Sequence, residues 1–210
     1  MTSLSARTGQ LLATRKMLAS SAVKSHPSLF YPIADLRESD KRRLVRRSTD
    51  IVVEGYWRSA NHFAVHALQT SQAKQIEIAH HFHAPAQLML ALRWNIPALL
   101  LIREPAAAVA SAMVGFGIDD PSPLMQVYVA FHKPLKGVRD DLVIAEFQQT
   151  TTDFGSVIDN MNHRFDAHLD SFDGNQSGLA KVSASITKEH ETDPNHQDRI
   201  FPLPSADRTA

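Results

Sequence analysis

Apolar and polar positions along the chain follow two alternating periods, which predict strands separated by helices. Short apolar runs of strand length occupy 49–55, 75–82, 98–102 and 141–147. Helical periodicity occupies 60–70, 85–94, 106–114, 123–133 and 153–165. Strands that alternate with helices are typical of βαβ units, whose strands pair in parallel and whose helices cover the sheet. The sequence therefore predicts an α/β fold, a three-layer sandwich with a central parallel sheet.

The segments outside this alternation have less regular patterns. Residues 4–24 have the pattern of an amphipathic helix, and a proline-containing connector leads to a short charged helix at 35–47. Beyond residue 166 the chain is rich in turn formers, with one helical pattern at 179–190, and is expected to be a mobile lid or a loosely attached tail. We predict one domain, 1–210, made of N-terminal helices (1–48), the alternating core (49–166) and the lid or tail (167–210).

Composition limits the classes of function. The 210 residues are 43% apolar and 21% charged, which is enough to bury the core of one ordinary domain. The formal net charge is zero, so no overall charge attracts the chain to nucleic acid or to a membrane surface. No cysteine is present, which excludes disulfides and cysteine-based metal sites. Because no apolar stretch is long enough for a leader or a membrane span, we predict a cytoplasmic protein.

Two segments contain most of the candidate chemistry. The first is IVVEGYWRSANHF over 51–63, and the second is LLLIREPAAAVAS over 99–111. In each, an apolar run ends near an arginine and a small or turn-forming residue, and a helical pattern follows. Free N–H groups and the helix dipole attract anions at such strand-to-helix turns. Two such turns on neighbouring strands predict a nucleotide with phosphates at both ends.

The first segment differs from the phosphate loop of nucleoside triphosphatases, Gly-x-x-x-x-Gly-Lys-Ser/Thr. With the register started at Gly55, the last three positions are Ala60, Asn61 and His62. The lysine that reaches the terminal phosphates and the hydroxyl that holds magnesium are both missing. The sequence therefore disfavours a nucleotide kinase or another enzyme that uses ATP or GTP.

The two segments together resemble the sulfotransferase family, in particular its small bacterial members, which use 3'-phosphoadenosine 5'-phosphosulfate (PAPS). The family's loop Pro-Arg/Lys-Ser-Gly-Thr-Thr corresponds to 58–62, and its Arg-x-Pro followed by a serine corresponds to Arg103, Pro105 and Ser111. The resemblance covers roughly 48–165, and it implies a P-loop NTPase-like fold with a nucleotide-binding core at 49–166. It also implies a transferase that moves a sulfuryl group to a hydroxyl or amine, leaves 3'-phosphoadenosine 5'-phosphate (PAP) and needs no metal.

The resemblance assigns contacts to both ends of this nucleotide. The residues expected at the 5'-phosphosulfate are Arg58, Ser59, Ala60, Asn61 and His62. Arg58 is expected to bridge to the leaving phosphate, which makes it a catalytic candidate as well. The 3'-phosphate is expected to contact Arg103 and Ser111, although a small serine on a helix is also suited to close packing.

The chain departs from the family at the C-terminus and in the loop. The family's Gly-rich C-terminal clamp has no counterpart here, and Ala60 replaces a loop glycine. Small bacterial members are similar in ending with Pro-Ser-x-x-Arg, which 204–208 matches. This match assigns Arg208 to the cofactor, with Arg199 as the alternative.

A general base must take the proton of the attacking hydroxyl, and histidine is suited to this task at neutral pH. The family places its base in a His-x-Pro context, which His83 matches, so His83 is the first candidate and His81 the second. Strand alternation places these two on one side and His80 on the other. Histidine pairs at 81 and 83, or at 62 and 66, leave a zinc site as an alternative.

The acceptor is left open by the sequence, and so is the oligomeric state. The resemblance implies a small molecule or a glycan, no nucleic-acid partner, and an acceptor pocket bordered by the helix that carries Tyr128, Phe131 and His132. A second hypothesis is a degenerate family member that binds a nucleotide or a protein partner without turnover, because the loop is altered and the clamp is missing.

Overall fold

The computed structural model describes residues 4–37 and 41–192. The strands in this part of the chain are β1 (Ile51–Gly55), β2 (Ile78–His80), β3 (Ala98–Ile102) and β4 (Val143–Glu146). The first helices are α1 (Leu4–Lys24), α2 (Pro27–Arg37), α3 (Asn61–Ser71), α4 (Pro85–Arg93) and α5 (Pro105–Phe116). They are followed by α6 (Ser122–His132), α7 (Phe147–Thr152), α8 (Phe154–Phe165) and α9 (Gln176–Thr192). Short 3-10 turns lie at Lys41–Arg43, Lys133–Gly137 and Arg139–Asp141.

The strands form one parallel sheet in the order β2-β1-β3-β4. Side chains that alternate along β1 and β3 enter two separate apolar clusters, one on each face of the sheet. Helices α3, α8 and α9 contribute to the first cluster, and helices α4, α5 and α6 contribute to the second. The predicted three-layer α/β fold with a central parallel sheet is therefore confirmed.

The two central strands are closely packed at their carboxyl ends. All five residues of β1 are buried, including the charged Glu54. A Cβ atom added to Gly55 would lie 2.6 Å from the carbonyl oxygen of Leu101 on β3, which only a glycine avoids at this position. The polar residues that follow β1 and β3 therefore emerge side by side at one edge of the sheet.

Two predicted elements differ in the structure. The charged helix expected at 35–47 is wrong, because α2 ends at Arg37 and, among the described residues from 41 to 47, a 3-10 turn at Lys41–Arg43 is followed by non-helical backbone. Arg46 pairs with Asp35, and the Arg47 guanidinium lies 5.1 Å from the ring centre of Trp94, so tertiary contacts hold this segment as a turn. The strand expected at 75–82 is shorter in the structure, where β2 covers Ile78–His80. It ends there because the backbone of His81 leaves the extended conformation, with a φ angle of 62°.

The segment expected to be a lid or tail packs on the core as far as it is described. Val182 and Ile186 of α9 are buried in the cluster that α3 also forms. Residues 193–210, which include the cofactor candidates Arg199 and Arg208, lie outside the described residues. None of the helices described here is long and apolar enough to cross a membrane.

Candidate active site at the carboxyl edge of the sheet

The loop from β1 to α3 is curled without any glycine between Gly55 and the helix. Arg58 and Ala60 both have positive φ angles, 66° and 67°, although neither is a residue type that favours this region. Loops with left-handed residues of this kind turn successive N–H groups toward a common side and form anion-binding concavities. The N-cap residue Ala60 has no side-chain cap to offer, so the first-turn N–H groups of α3 face this loop.

Two polar side chains of the loop are buried with unused hydrogen-bonding capacity. The Ser59 hydroxyl and the Asn61 amide oxygen have no hydrogen-bond partner within the described residues. The Asn61 amide nitrogen donates to the Tyr56 carbonyl at 3.0 Å, which fixes the loop across its width. Buried polar groups usually have partners, so these two atoms mark the loop as a place where a polar ligand is accommodated.

The structure brings together three residues that are far apart in sequence. Arg58 Nε donates to the Ser111 hydroxyl at 3.0 Å, and Arg103 Nη1 donates to the Arg58 carbonyl at 2.9 Å. Burial lowers the pKa of Arg58, and the neighbouring positive charge of Arg103 lowers it further. Both guanidinium groups stay charged at neutral pH. Two adjacent cations and a hydroxyl at the end of parallel strands form a site whose repulsion an anion would relieve.

Arg103 is held in this position by aromatic residues. Its guanidinium lies 4.1 Å from the ring centre of Phe147, at the start of α7. The hydroxyl of Tyr128, on the helix expected to border the acceptor, donates to the Arg103 carbonyl at 2.8 Å. The arginine is therefore oriented before any ligand binds.

The expected anion site at the N-terminus of α5 is wrong in one respect. The side chain of Glu104 caps this helix by accepting hydrogen bonds from the N–H groups of Ala106 (2.9 Å) and Ala107 (2.6 Å). These bonds lower the pKa of Glu104, so the cap carries a negative charge. The second motif therefore offers an anion its side chains, Arg103 and Ser111, and no helix N-terminus.

His83 lies beside the first loop, on the far side of β1 from Arg103. Its Nδ1 donates to the Gly55 carbonyl at 2.8 Å, which fixes the proton on Nδ1 and makes Nε2 the basic nitrogen. The imidazole contacts the Trp57 ring, with ring centres 6.0 Å apart. A histidine in this tautomer can accept a proton from a group that approaches Nε2.

A pocket opens next to His83, and its wall includes residues that sequence reasoning missed. It is lined by Met17, Ser20, Ser21, Lys24, Tyr56, Trp57, His83, Val127 and Phe131. Four of these residues come from α1, a helix in which no sequence motif indicates a function. Phe131 of α6 lines the pocket. The neighbouring His132 imidazole packs on Tyr128, with ring centres 4.2 Å apart.

His81, the second candidate base, belongs to a different cluster. Its Nε2 lies 2.9 Å from His62 Nδ1, and its Nδ1 contacts Nδ1 of His80. The same side of the sheet carries His66, whose ring nitrogens contact Ser185 and Glu189 of α9, each at 2.8 Å. The predicted strand alternation for these histidines is wrong, because β2 ends at His80 and His81 takes a left-handed conformation.

The zinc alternative receives no support from this arrangement. No group of three or more histidine or acidic side chains within 4–37 and 41–192 is placed to hold a metal ion. His81 and His83 have ring centres 6.1 Å apart at right angles, and His62 and His66 have ring centres 6.4 Å apart. The four imidazoles of His62, His66, His80 and His81 instead connect α3, β2 and α9.

The confined imidazole of His81 predicts a loss of stability in acid. Burial lowers the pKa of His81 well below the ordinary value of 6.5, and nearby His62 and His80 lower it further. The unfolded chain therefore binds more protons than the folded protein below pH 6.5, so the contribution of His81 to stability is full above that pH and decreases below it. Relative to His81→Asn, the wild-type protein should lose up to about 1.4 kcal/mol of unfolding free energy per pH unit below 6.5.

Denaturant unfolding between pH 7.5 and 5 measures this difference. Asparagine is chosen because it tolerates a positive φ, and His163→Asn on the exposed side of α8 is the control. The control should follow the wild-type curve at every pH. Parallel curves for wild type and His81→Asn would show that His81 does not carry the acid sensitivity.

Comparison with known proteins adds little to this geometry. No family model matches the sequence, and no curated protein matches it. A similar solved structure is that of mouse sulfotransferase SULT7A1 complexed with PAP, with 12% sequence identity and a TM-score of 0.43. The alignment covers 81% of this chain and 78% of that chain. A likeness this distant assigns no activity to the chain.

Proposed function

We propose that the protein transfers a sulfuryl group from PAPS to the hydroxyl group of a small acceptor. The observation that carries the proposal is the convergence of Arg58, Arg103 and Ser111 at the carboxyl ends of β1 and β3. The three residues come from two motifs 45 or more positions apart, and they lie beside a curled loop with buried polar atoms. A nucleotide with a phosphate at each end is a ligand that fits both features.

In this proposal the two ends of the nucleotide occupy the two parts of the site. The 5'-phosphosulfate lies on the β1–α3 loop, near the Ser59 hydroxyl, the Asn61 amide and the first N–H groups of α3, including that of His62. The 3'-phosphate lies against Arg103 and Ser111. Arg58 contributes to both parts of the site, because its backbone belongs to the β1–α3 loop and its guanidinium contacts Ser111.

The chemistry is an in-line displacement at sulfur. The acceptor oxygen forms a bond to sulfur while the bond from sulfur to the phosphate oxygen breaks, and PAP leaves. Nε2 of His83 takes the proton that the acceptor hydroxyl loses. Positioning and fixed positive charge supply most of the rate enhancement, by analogy with phosphoryl transfer. The pocket beside His83 receives the acceptor.

Ligand specificity tests the proposal without knowledge of the acceptor. PAP at one hundred times its dissociation constant should raise the unfolding free energy by about 2.7 kcal/mol. Magnesium-ATP and AMP at the same concentration should give much smaller shifts in unfolding free energy. The loop of this protein has no Walker lysine to bind the terminal phosphates of ATP, and AMP has no 3'-phosphate. Transfer of labelled sulfate from PAPS to a panel of hydroxyl acceptors then tests turnover.

Each outcome has a distinct meaning. A shift specific to PAP together with label transfer supports the transferase. A PAP shift without transfer to any acceptor favours a nucleotide-binding protein without turnover, for which the altered loop provides a reason. A larger shift with magnesium-ATP than with PAP would contradict the proposal and favour a kinase.

A further inference from the structure

Glu54 is a buried titratable side chain that the proposed reaction does not use. It is the fourth residue of β1, in an otherwise apolar run, and its relative exposure is 0%. A charged group is expensive to bury unless it has partners that need it. Its position directly beneath the loop that carries His83 indicates what those partners are.

The Glu54 carboxyl group connects three segments of the chain. Its Oε1 accepts hydrogen bonds from the Phe82 backbone N–H and from Gln87 Nε2, both at 2.9 Å. Gln87 in turn accepts from the Val45 N–H at 2.6 Å and donates to the Arg43 carbonyl at 3.2 Å. The loop at 81–84, helix α4 and the turn at 43–45 are therefore tied to β1 through one carboxyl group.

The loop at 81–84 has a conformation that must be held. His81 and His83 have φ angles of 62° and 49°, which cost non-glycine residues about 1–3 kcal/mol each. Phe82, whose N–H Glu54 accepts, is the residue between them. Arg43 Nη2 supports the loop from outside by donating to the His81 carbonyl at 3.3 Å. Glu54 therefore anchors the centre of a strained loop at the residue just before the candidate base.

The surroundings of Glu54 determine the pH above which its carboxyl group is ionised and its hydrogen bonds to the loop are strongest. Burial raises the pKa of Glu54 to about 7, while hydrogen bonds from Gln87 and Phe82 and the positive charge of Lys24 act in the opposite direction. Lys24 of α1 is the cation that acts on Glu54. Arg43 of the 3-10 turn faces the loop at the His81 carbonyl, and the imidazoles of His81 and His83 belong to the loop itself. An ionised carboxylate accepts two hydrogen bonds more strongly than a neutral acid does.

We propose that Glu54 is a positioning residue whose ionised carboxylate holds the loop at 81–84, and with it the His83 imidazole, in the geometry seen beside the pocket. The inference rests on the proposed function in so far as His83 is the proton acceptor there. The position of the His83 imidazole then depends on pH through Glu54, a residue that does not itself contact the substrate. The loop should be held more firmly as Glu54 ionises than when it is neutral.

Nuclear magnetic resonance of the ligand-free protein tests this without turnover. In the wild-type protein, the Phe82 amide proton should move with an inflection near pH 7, and the His83 ring signals should show the same inflection. In Glu54→Gln, which keeps an oxygen acceptor but removes the charge, the Phe82 inflection should disappear, and the His83 ring signals should lose the part of their pH dependence that they share with Phe82. At pH 8, the Phe82 amide should exchange with deuterium roughly 10- to 100-fold faster in Glu54→Gln than in the wild type.

A matched control and the contrary outcomes make the test decisive. Glu146→Gln removes an exposed carboxylate from the end of β4, which β3 separates from β1, and should leave the Phe82 and His83 inflections unchanged. The proposal is overturned if wild-type Phe82 and His83 share no inflection, a result that needs no variant to fold. It is also overturned if the inflection that Phe82 and His83 share persists in Glu54→Gln. Binding of PAP is measured separately, so a protein that fails to bind PAP but shows the shared inflection refutes the proposed function alone.

Discussion

Replacement of Arg103 by alanine is expected to remove most of the stabilisation that PAP gives to the folded protein. Arg103 supplies a guanidinium that is already oriented by Phe147 and by the Arg58 carbonyl, so its loss removes a charged contact with no compensating rearrangement. A lost contact of this kind costs about 2–3 kcal/mol, or roughly 30- to 150-fold in affinity. A PAP concentration that stabilises the wild type by about 2.7 kcal/mol should then stabilise a variant weakened 100-fold by only about 0.4 kcal/mol. Thermal or denaturant unfolding with and without PAP measures this.

Two control variants distinguish a specific contact between Arg103 and PAP from the effect of removing one positive charge from the protein. Arg139→Ala removes an exposed arginine paired with the adjacent Asp140, and should bind PAP as the wild type does. Arg103→Lys keeps the charge but loses the planar fork, so its affinity should fall between those of wild type and Arg103→Ala. Undiminished PAP binding in Arg103→Ala would mean that the nucleotide does not occupy this cluster.

Replacement of His83 is expected to reduce turnover by about 10²- to 10⁴-fold while PAP still binds. In the proposed reaction, Nε2 of His83 takes the proton of the acceptor, whereas the phosphates bind at the cluster of Arg58 and Ser111, which belongs to other segments. His83→Asn is preferred to alanine because asparagine tolerates the positive φ of this position. The measurement is the rate of label transfer from PAPS to an acceptor identified in the panel, beside the PAP-dependent shift in stability.

The exposed His168 provides the matched histidine control, and His168→Asn should change neither quantity. Full turnover in His83→Asn would exclude this histidine as the base. Loss of PAP binding in His83→Asn would instead assign it to the nucleotide. Either result would shift attention to His81, which lies two residues earlier on the same loop.

The parts of the fold that depend on local patterns could be predicted from the sequence. The bounds of β3 agree with the predicted run, because four consecutive large apolar residues between a proline and an arginine leave little ambiguity. The convergence of Arg58 with Ser111 also follows from local patterns, since both motifs lie at carboxyl ends of neighbouring parallel strands.

The remaining parts depend on contacts between distant segments. The α5 cap arises because the Glu104 side chain folds back on its own helix, which the motif's spacing does not indicate. The end of β2 depends on the loop that Glu54 and Arg43 hold, and the pocket wall depends on where α1 docks. Glu54 did have a signal in sequence, namely an acidic residue inside an apolar strand, which is unusual unless the group has a task.

The docking of α9 on α3 has a consequence for how the chain is made. The contacts of His66 with Ser185 and Glu189 join residues 119 and 123 positions apart. During synthesis at about 5–20 residues per second, the apolar face of α3 stays uncovered for roughly 6–25 seconds until α9 has been translated. Contacts between residues this far apart in sequence also slow folding, which prolongs the exposure of apolar surface. In newly made chains the apolar face of α3 should therefore stay exposed until α9, which ends at Thr192, has emerged from the ribosome.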